Sequence, residues 1–228
     1  WEGLLQSRDA GVADWIGYIE SANLADNEKN IAAFADSGYD VIVTIGFNMT
    51  EATYSMAIKY PNIKFIGIDQ TLARDDKHPE WPLANLVSIT YHEDQSGFLV
   101  GALGAMMSTT HKIGAVCGTD VIPPVWRYGK SYQAGAAYAD ARFGSRTKVT
   151  VVYHNDVDFD LTFNDPAWGT DQANSMIAQG VDVIFGCGGD TGNGAIIAAA
   201  QHNVYAIGVD TDQYFTLPEI GAWMLSSA

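Results

Sequence analysis

Carboxylates, glycines and aromatic rings gather where the apolar runs of this chain end. Asp210 and Asp212 follow Tyr205–Val209, and Glu93 and Asp94 follow Leu86–Tyr91. Gly188 and Gly189 follow Val181–Phe185, and Phe47 and Asn48 follow Tyr39–Ile45. Trp126 and Tyr128 stand in a proline-rich stretch (VIPPVWRY), and Phe163 lies two residues before Asp165. An ionised carboxylate is a strong acceptor for ligand hydroxyls. Flat rings suit a stacked heterocycle or a sugar, and glycines let a ligand approach the backbone. Together these residue types suit non-covalent capture of a small polar molecule. Plainer uses stand beside that one. Asp212 reads as a helix cap, Phe47 as a half-buried core residue, and one of Asp69 and Asp210 as purely structural.

Catalytic patterns are absent from the sequence. It contains no Gly-x-x-x-x-Gly-Lys-Ser/Thr loop and no Gly-x-Ser-x-Gly elbow. Gly186-x-Gly188 fails the dinucleotide fingerprint, because Thr191 stands where the third glycine belongs and Asp190 would repel a pyrophosphate. His78, His92, His111, His154 and His202 have no metal-ligand spacing, and the adjacent His92, Glu93 and Asp94 cannot easily converge on one ion. No enzymatic activity, metal or cofactor is expected.

The elements that position these residues alternate between strand and helix, the signature of an α/β fold with parallel sheets. The segment from Gly180 to Gln213 reads as strand, glycine-rich turn, helix from Ala195 to Gln201, and strand. It is also written twice. Tyr39–Gly46 (YDVIVTIG) matches Val181–Gly188 (VDVIFGCG), and Phe65–Gln70 (FIGIDQ) answers Ala206–Gln213 (AIGVDTDQ) at nearly the same spacing. Two echoes in order imply two similar lobes, expected at residues 1–109 and 110–216, with 217–228 returning to the first lobe. In parallel α/β units ligands sit at the carboxyl ends of the strands, where the residues named above fall. Asp14–Ile19 (WIGYI) is expected as a strand and Gly97–Ser108 as a helix whose small residues permit close packing. Val121–Tyr128 is expected as a loop before a helix that starts at Lys130. Asp165-Pro166 reads as the N-cap and first residue of another helix.

Bulk properties narrow the partners. With 27 acidic against 12 basic residues the formal net charge is −15, which argues against nucleic acid and anionic membrane surfaces. The basic residues are scattered, so a strongly anionic ligand is disfavoured too. No apolar run has the length of a membrane span. Cys117 and Cys187, far apart in sequence, read as two buried free thiols. The chain starts at Trp1 and stops at Ala228 inside helix-like segments, as a trimmed or processed product would.

A set of segments in order resembles the basic membrane protein family of substrate-binding lipoproteins. They are Trp1-Glu2-Gly3, Tyr39–Ile42, Glu93–Gly101 (EDQSGFLVG), Val121–Gly135 (VIPPVWRYGKSYQAG), Phe163–Gly169 (FNDPAWG), Gly188–Gly194 (GGDTGNG) and Ile207–Gln213 (IGVDTDQ). The resemblance implies two Rossmann-like lobes of the type I periplasmic-binding-protein class, joined by a hinge, with a purine nucleoside between them. It implies an extracytoplasmic receptor, periplasmic or lipid-anchored at the outer face of the cell membrane, acting as a monomer and delivering its ligand to an ABC transporter permease. A sugar or another small polar ligand on the same fold is the alternative. By resemblance Phe163 is a stacking ring, Asp210 a ribose hydroxyl ligand, and Gly188–Gly189 the lining of the ribose side. Glu93 or Asp94 is a further polar contact, and Phe47 and Asn48 are contacts from the first lobe. Two family features are missing. One is an Asp-x-Ser-Phe-Asn segment before Trp1. The other is a binding lysine just beyond the segment matching Trp223–Ser227.

Overall fold

The computed structural model describes residues 1–21 and 23–228. They form two compact units, Trp1–Tyr91 and His92–Ala228. The α/β class with parallel sheets stands as the sequence implied.

The first unit holds three parallel strands in the order β1 (Val41–Ile45), β2 (Lys64–Ile68), β3 (Leu86–Ile89). Helices α1 (Glu2–Asp9), α2 (Asn27–Asp36) and α3 (Thr50–Lys59) accompany them, though α1 buries no residue. Strand side chains alternate between faces. Ile42, Phe65 and Leu86 turn one way and form a core with Ile31 of α2 and Tyr54 and Met56 of α3. Val43, Ile66 and Val87 form a row on the other face, and Ile45, Ile68 and Ile89 a second row. That face is open to solvent, with Ile45 67% and Val87 62% exposed. The expected strand over Asp14–Ile19 does not form. Trp15 and Tyr18 are exposed, and among the described residues no neighbouring strand supplies a ladder of hydrogen bonds.

The second unit starts with α4 (Glu93–Met107) and carries five parallel strands in the order β5 (Lys148–Tyr153), β4 (Lys112–Cys117), β6 (Val183–Cys187), β7 (Tyr205–Gly208), β8 (Met224–Ser227). Helix α4 and α5 (Pro123–Phe143) cover one face, packed on Ile113, Ala115, Val183, Phe185 and Ile207. Helices α6 (Pro166–Ala178) and α7 (Gly189–Gln201) cover the other, packed on Val116, Ile184 and Ala206. A short helix, α8 (Gln213–Thr216), precedes β8.

Four expectations need correction. The unit boundary falls after Tyr91 rather than at residue 109, because α4 packs backbone to backbone on α5. A methyl group at Gly101 would collide with the Tyr132 carbonyl, and one at Gly135 with the Phe98 carbonyl. The small residues of α4 therefore do permit close packing, as the sequence implied. The tail is part of the second unit. Its residues 224–227 pair with β7 as the edge strand β8. The proline-rich stretch is no loop, since Pro123 and Pro124 occupy the first turn of α5, where a missing N–H leaves no bond unmade. Finally, Cys117 and Cys187 are not free thiols. They are register partners on adjacent strands with Cα atoms 4.3 Å apart, and they form a disulfide.

Candidate functional site

The carboxyl ends of β4, β5, β6 and β7 lie side by side in the second unit, and most of the sequence-predicted residues gather there. Strand β6 ends at Cys187, after which Gly188 caps α7 and Gly189 begins it with φ +55°. The glycine-rich segment is thus the first turns of a helix rather than a turn before one. The helix persists because its glycines meet backbone. A methyl on Gly194 would strike the Pro166 carbonyl, and one on Gly192 would lie 3.0 Å from Gly186.

Gly188, Gly118 and Phe163 meet closely. A methyl on Gly188 would run into the Gly118 backbone nitrogen, and one on Gly118 into the Phe163 ring. Gly189 faces the Phe163 carbonyl, where a methyl would lie at 2.8 Å. The half-buried ring of Phe163 rests on the core under α4 and α5, with Phe159 edge-on at 6.2 Å between centroids. Its carbonyl accepts a 3.2 Å hydrogen bond from the Thr191 N–H. Asp165 caps α6 as expected, its side chain accepting from the Trp168 N–H at 3.0 Å.

Asp210 follows β7 with a left-handed backbone, φ +66°, a conformation Asp tolerates better than most residues. Its N–H donates to the Ala228 carbonyl at 2.9 Å, so β8 helps fix it. It lines an open groove of about 590 Å³ with Thr211, Tyr214 and Ser227. Although the residue as a whole is exposed, loss of solvent around the carboxyl pushes its pKa above the ordinary range, and the charge of Glu93 adds to this. Glu93 is 4% exposed at the start of α4 and accepts a 3.1 Å hydrogen bond from Arg127 Nη1. A buried carboxylate needs such a partner. Sequence reasoning passed over Arg127, treating the basic residues as scattered. Its signal is its place two residues after Val125, inside a segment that carries the family resemblance.

Asp94 is exposed beside His92, at 3.9 Å. Trp126 sits in the first turn of α5, about half exposed, not at a loop tip. Phe47 and Asn48 belong to the first unit, in a single 3-10 turn after β1, where the Asn48 carbonyl accepts from Asn27 Nδ2 at 3.2 Å. Among the described residues no cluster of His, Cys, Asp and Glu could hold a metal ion.

Parallel strands accompanied by helices, with polar and aromatic residues at the strand ends, make up the type I periplasmic-binding-protein fold of solved ABC transporter solute-binding proteins. The chain belongs to the family of PnrA-like ABC transporter substrate-binding proteins, whose family model matches residues 1–221. It is 30% identical over 228 residues to the ABC transporter nucleoside-binding protein BmpA of Lactococcus lactis, covering 94% of this chain and 59% of that protein. It is 30% identical over 214 residues to an uncharacterised lipoprotein of Pyrococcus abyssi, covering 90% of this chain and 50% of that one. A crystal structure of an ABC transporter solute-binding protein from Aeropyrum pernix superposes with a TM-score of 0.72 at 30% identity, covering 87% of this chain and 54% of that one. The chain spans about half to three fifths of the length of the curated relatives it matches. Proteins of this family bind solutes outside the cytoplasm for a transporter. No helix among the described residues is long and apolar enough to cross a membrane.

Proposed function

We propose that this protein captures a purine nucleoside and delivers it to an ABC transporter permease. The observation that carries the reading is the Phe163 ring packed beside Gly118, with Gly188 and Gly189 against the same residues, and Asp210 following the neighbouring strand β7. Phe163 offers a face for the base, and Asp210 accepts from ribose hydroxyls beside Gly188 and Gly189. Glu93, held by Arg127, keeps that end of the site polar, and Asp94 and Trp126 stand at its margin. Phe47 and Asn48 contribute from the first lobe once the two lobes close by hinge bending. The nucleoside-binding relative in Lactococcus supports the choice of ligand. A net charge of −15 suits a neutral nucleoside better than a nucleotide. The lipoprotein relative and the Cys117–Cys187 disulfide support an oxidising, extracytoplasmic setting with a lipid anchor.

Titration calorimetry with guanosine, inosine, adenosine and free ribose tests the proposal. Saturable binding of a nucleoside, with ribose weaker, is expected. Binding of ribose in preference to every nucleoside would turn the reading to a sugar receptor, and binding of none of the three nucleosides would end it.

A further inference from the structure

Phe163 is carried by a loop, residues 154–165, that leaves β5 and enters α6. Its two ends are tied together. His154 Nε2 lies 3.1 Å from Asp165 Oδ2. The Trp168 N–H, and then His154, hold the Asp165 carboxyl below the ordinary range, so it is ionised and only accepts. The proton of this hydrogen bond therefore sits on Nε2. The imidazole is 4% exposed and stacks on the Trp168 indole, 4.1 Å between centroids and 12° between planes.

The tie belongs to a closed circuit around Phe163. The His154 N–H donates to the Gly118 carbonyl at 2.6 Å. The Asp165 N–H donates to Thr191 Oγ1 at 3.0 Å, and Thr191, fully buried, donates its own N–H to the Phe163 carbonyl. Gly118 closes the circuit from below, against the Phe163 ring. The contacts link the residues that follow β4 and β5 with the cap of α6 and with α7. A buried histidine so bonded is more than core filler, because its hydrogen bond to Asp165 fixes the span of the loop that presents the ring.

We infer that His154 is a positioning residue for ligand binding, clasping Asp165 so that the 154–165 loop holds Phe163 ready to stack. The inference rests on the reading of Phe163 as the stacking ring. Its test uses four proteins: wild type, His154→Ala, His154→Gln, whose amide can still donate to Asp165, and Asp165→Asn, which keeps an acceptor for the Trp168 N–H.

Two quantities are measured on each, the guanosine and inosine affinities and the backbone amide exchange of residues 155–164 without ligand. His154→Ala and Asp165→Asn are expected to weaken binding and speed loop exchange by about tenfold, the scale of one hydrogen bond to a charged group. Exchange in β4 and β6 stays slow, and His154→Gln recovers most of both losses. Unchanged loop exchange in His154→Ala overturns the clasp. Faster exchange with unchanged affinity overturns its role in binding, and equal loss of protection throughout the unit reduces His154 to a stabilising core residue. A wild type that binds neither guanosine nor inosine removes the nucleoside reading, while the exchange measurement still decides the clasp.

Discussion

The two copies of the repeated segment share a backbone and differ in cover. Strand β1 pairs in parallel with β2, and β6 with β7, and both following strands end at an aspartate with left-handed backbone, φ 58° at Asp69 and 66° at Asp210. A glutamine beyond each reaches back to a strand end. Gln70 Nε2 donates to Thr44 Oγ1 and the Gly46 carbonyl, and Gln213 Oε1 accepts from the Val209 N–H. Yet the equivalent valines Val41 and Val183 are 49% and 0% exposed. In the second unit α4 and α5 lie on the face that Val183 occupies, and among the described residues no equivalent pair of helices covers Val41. Local residues thus set strand, turn and left-handed aspartate twice over. Burial is set by how many helices the rest of the chain brings to each sheet.

The largest test of this contrast is the disulfide, present where the first copy has Ile45 in place of Cys187. Cys117 and Cys187 are 70 residues apart, so the cross-link removes much freedom from the unfolded second unit. Reduction, or the double substitution Cys117→Ser/Cys187→Ser, is expected to destabilise that unit by about 2–4 kcal/mol. Urea midpoints with and without dithiothreitol measure it, and equal midpoints would show that the bridge contributes nothing to the difference. Next comes the matched pair of valines. Val183→Thr buries a hydroxyl in a fully packed layer and should cost about 1–3 kcal/mol. Val41→Thr keeps its β-branch at a half-exposed site and should stay within about 0.5 kcal/mol. Similar losses at both positions would mean that the open face of the first sheet is covered in solution.

Function gives the same contrast on a smaller scale. Phe163→Ala is expected to weaken nucleoside binding by about 1–3 kcal/mol through lost stacking. Phe47→Ala, the corresponding aromatic change in the first unit, is expected to cost less, because Phe163 is fixed on Gly118 and by Thr191. Calorimetry on both variants ranks them. A loss at Phe47 as large as that at Phe163 would move the weight of the site to the first half.

What was legible from the sequence was local. The alternation of the strands, the Asp165-Pro166 helix start and the internal repeat are encoded within a few residues of each feature. The misread stretches had local signals that distant contacts overrode. Two prolines inside VIPPVWRY suggest a loop until they are placed in the first turn of α5. Five glycines between 186 and 194 suggest a turn until α6 packs against them. The remainder was invisible for a stronger reason. The disulfide joins residues 70 apart, Arg127 meets Glu93 across 34 residues, and β8 finds its place only against β7. Each depends on which strands and helices become neighbours, and that is decided by the topology of the whole sheet.

The smallest expected effect separates the two left-handed aspartates most sharply. Asp210 has a carboxyl pushed above its ordinary range, by loss of solvent first and by the Glu93 charge second. A raised folded pKa means that the folded state holds the proton more tightly. The associated stability is present below the unfolded pKa and is lost as pH rises through the folded one. At neutral pH the charged Asp210 is therefore a slight burden on the fold. Asp210→Asn, which keeps the tolerance for left-handed backbone, should leave Tm at pH 7 unchanged or slightly higher. The difference from wild type should vanish as pH falls below the carboxylate range. The same variant should lose nucleoside affinity, because it exchanges an ionised acceptor for a neutral amide. Melting curves from pH 3 to 7, read beside calorimetry, decide the matter. A variant less stable at pH 7 and unchanged in binding would make Asp210 the structural member of the pair and return Asp69 to candidacy.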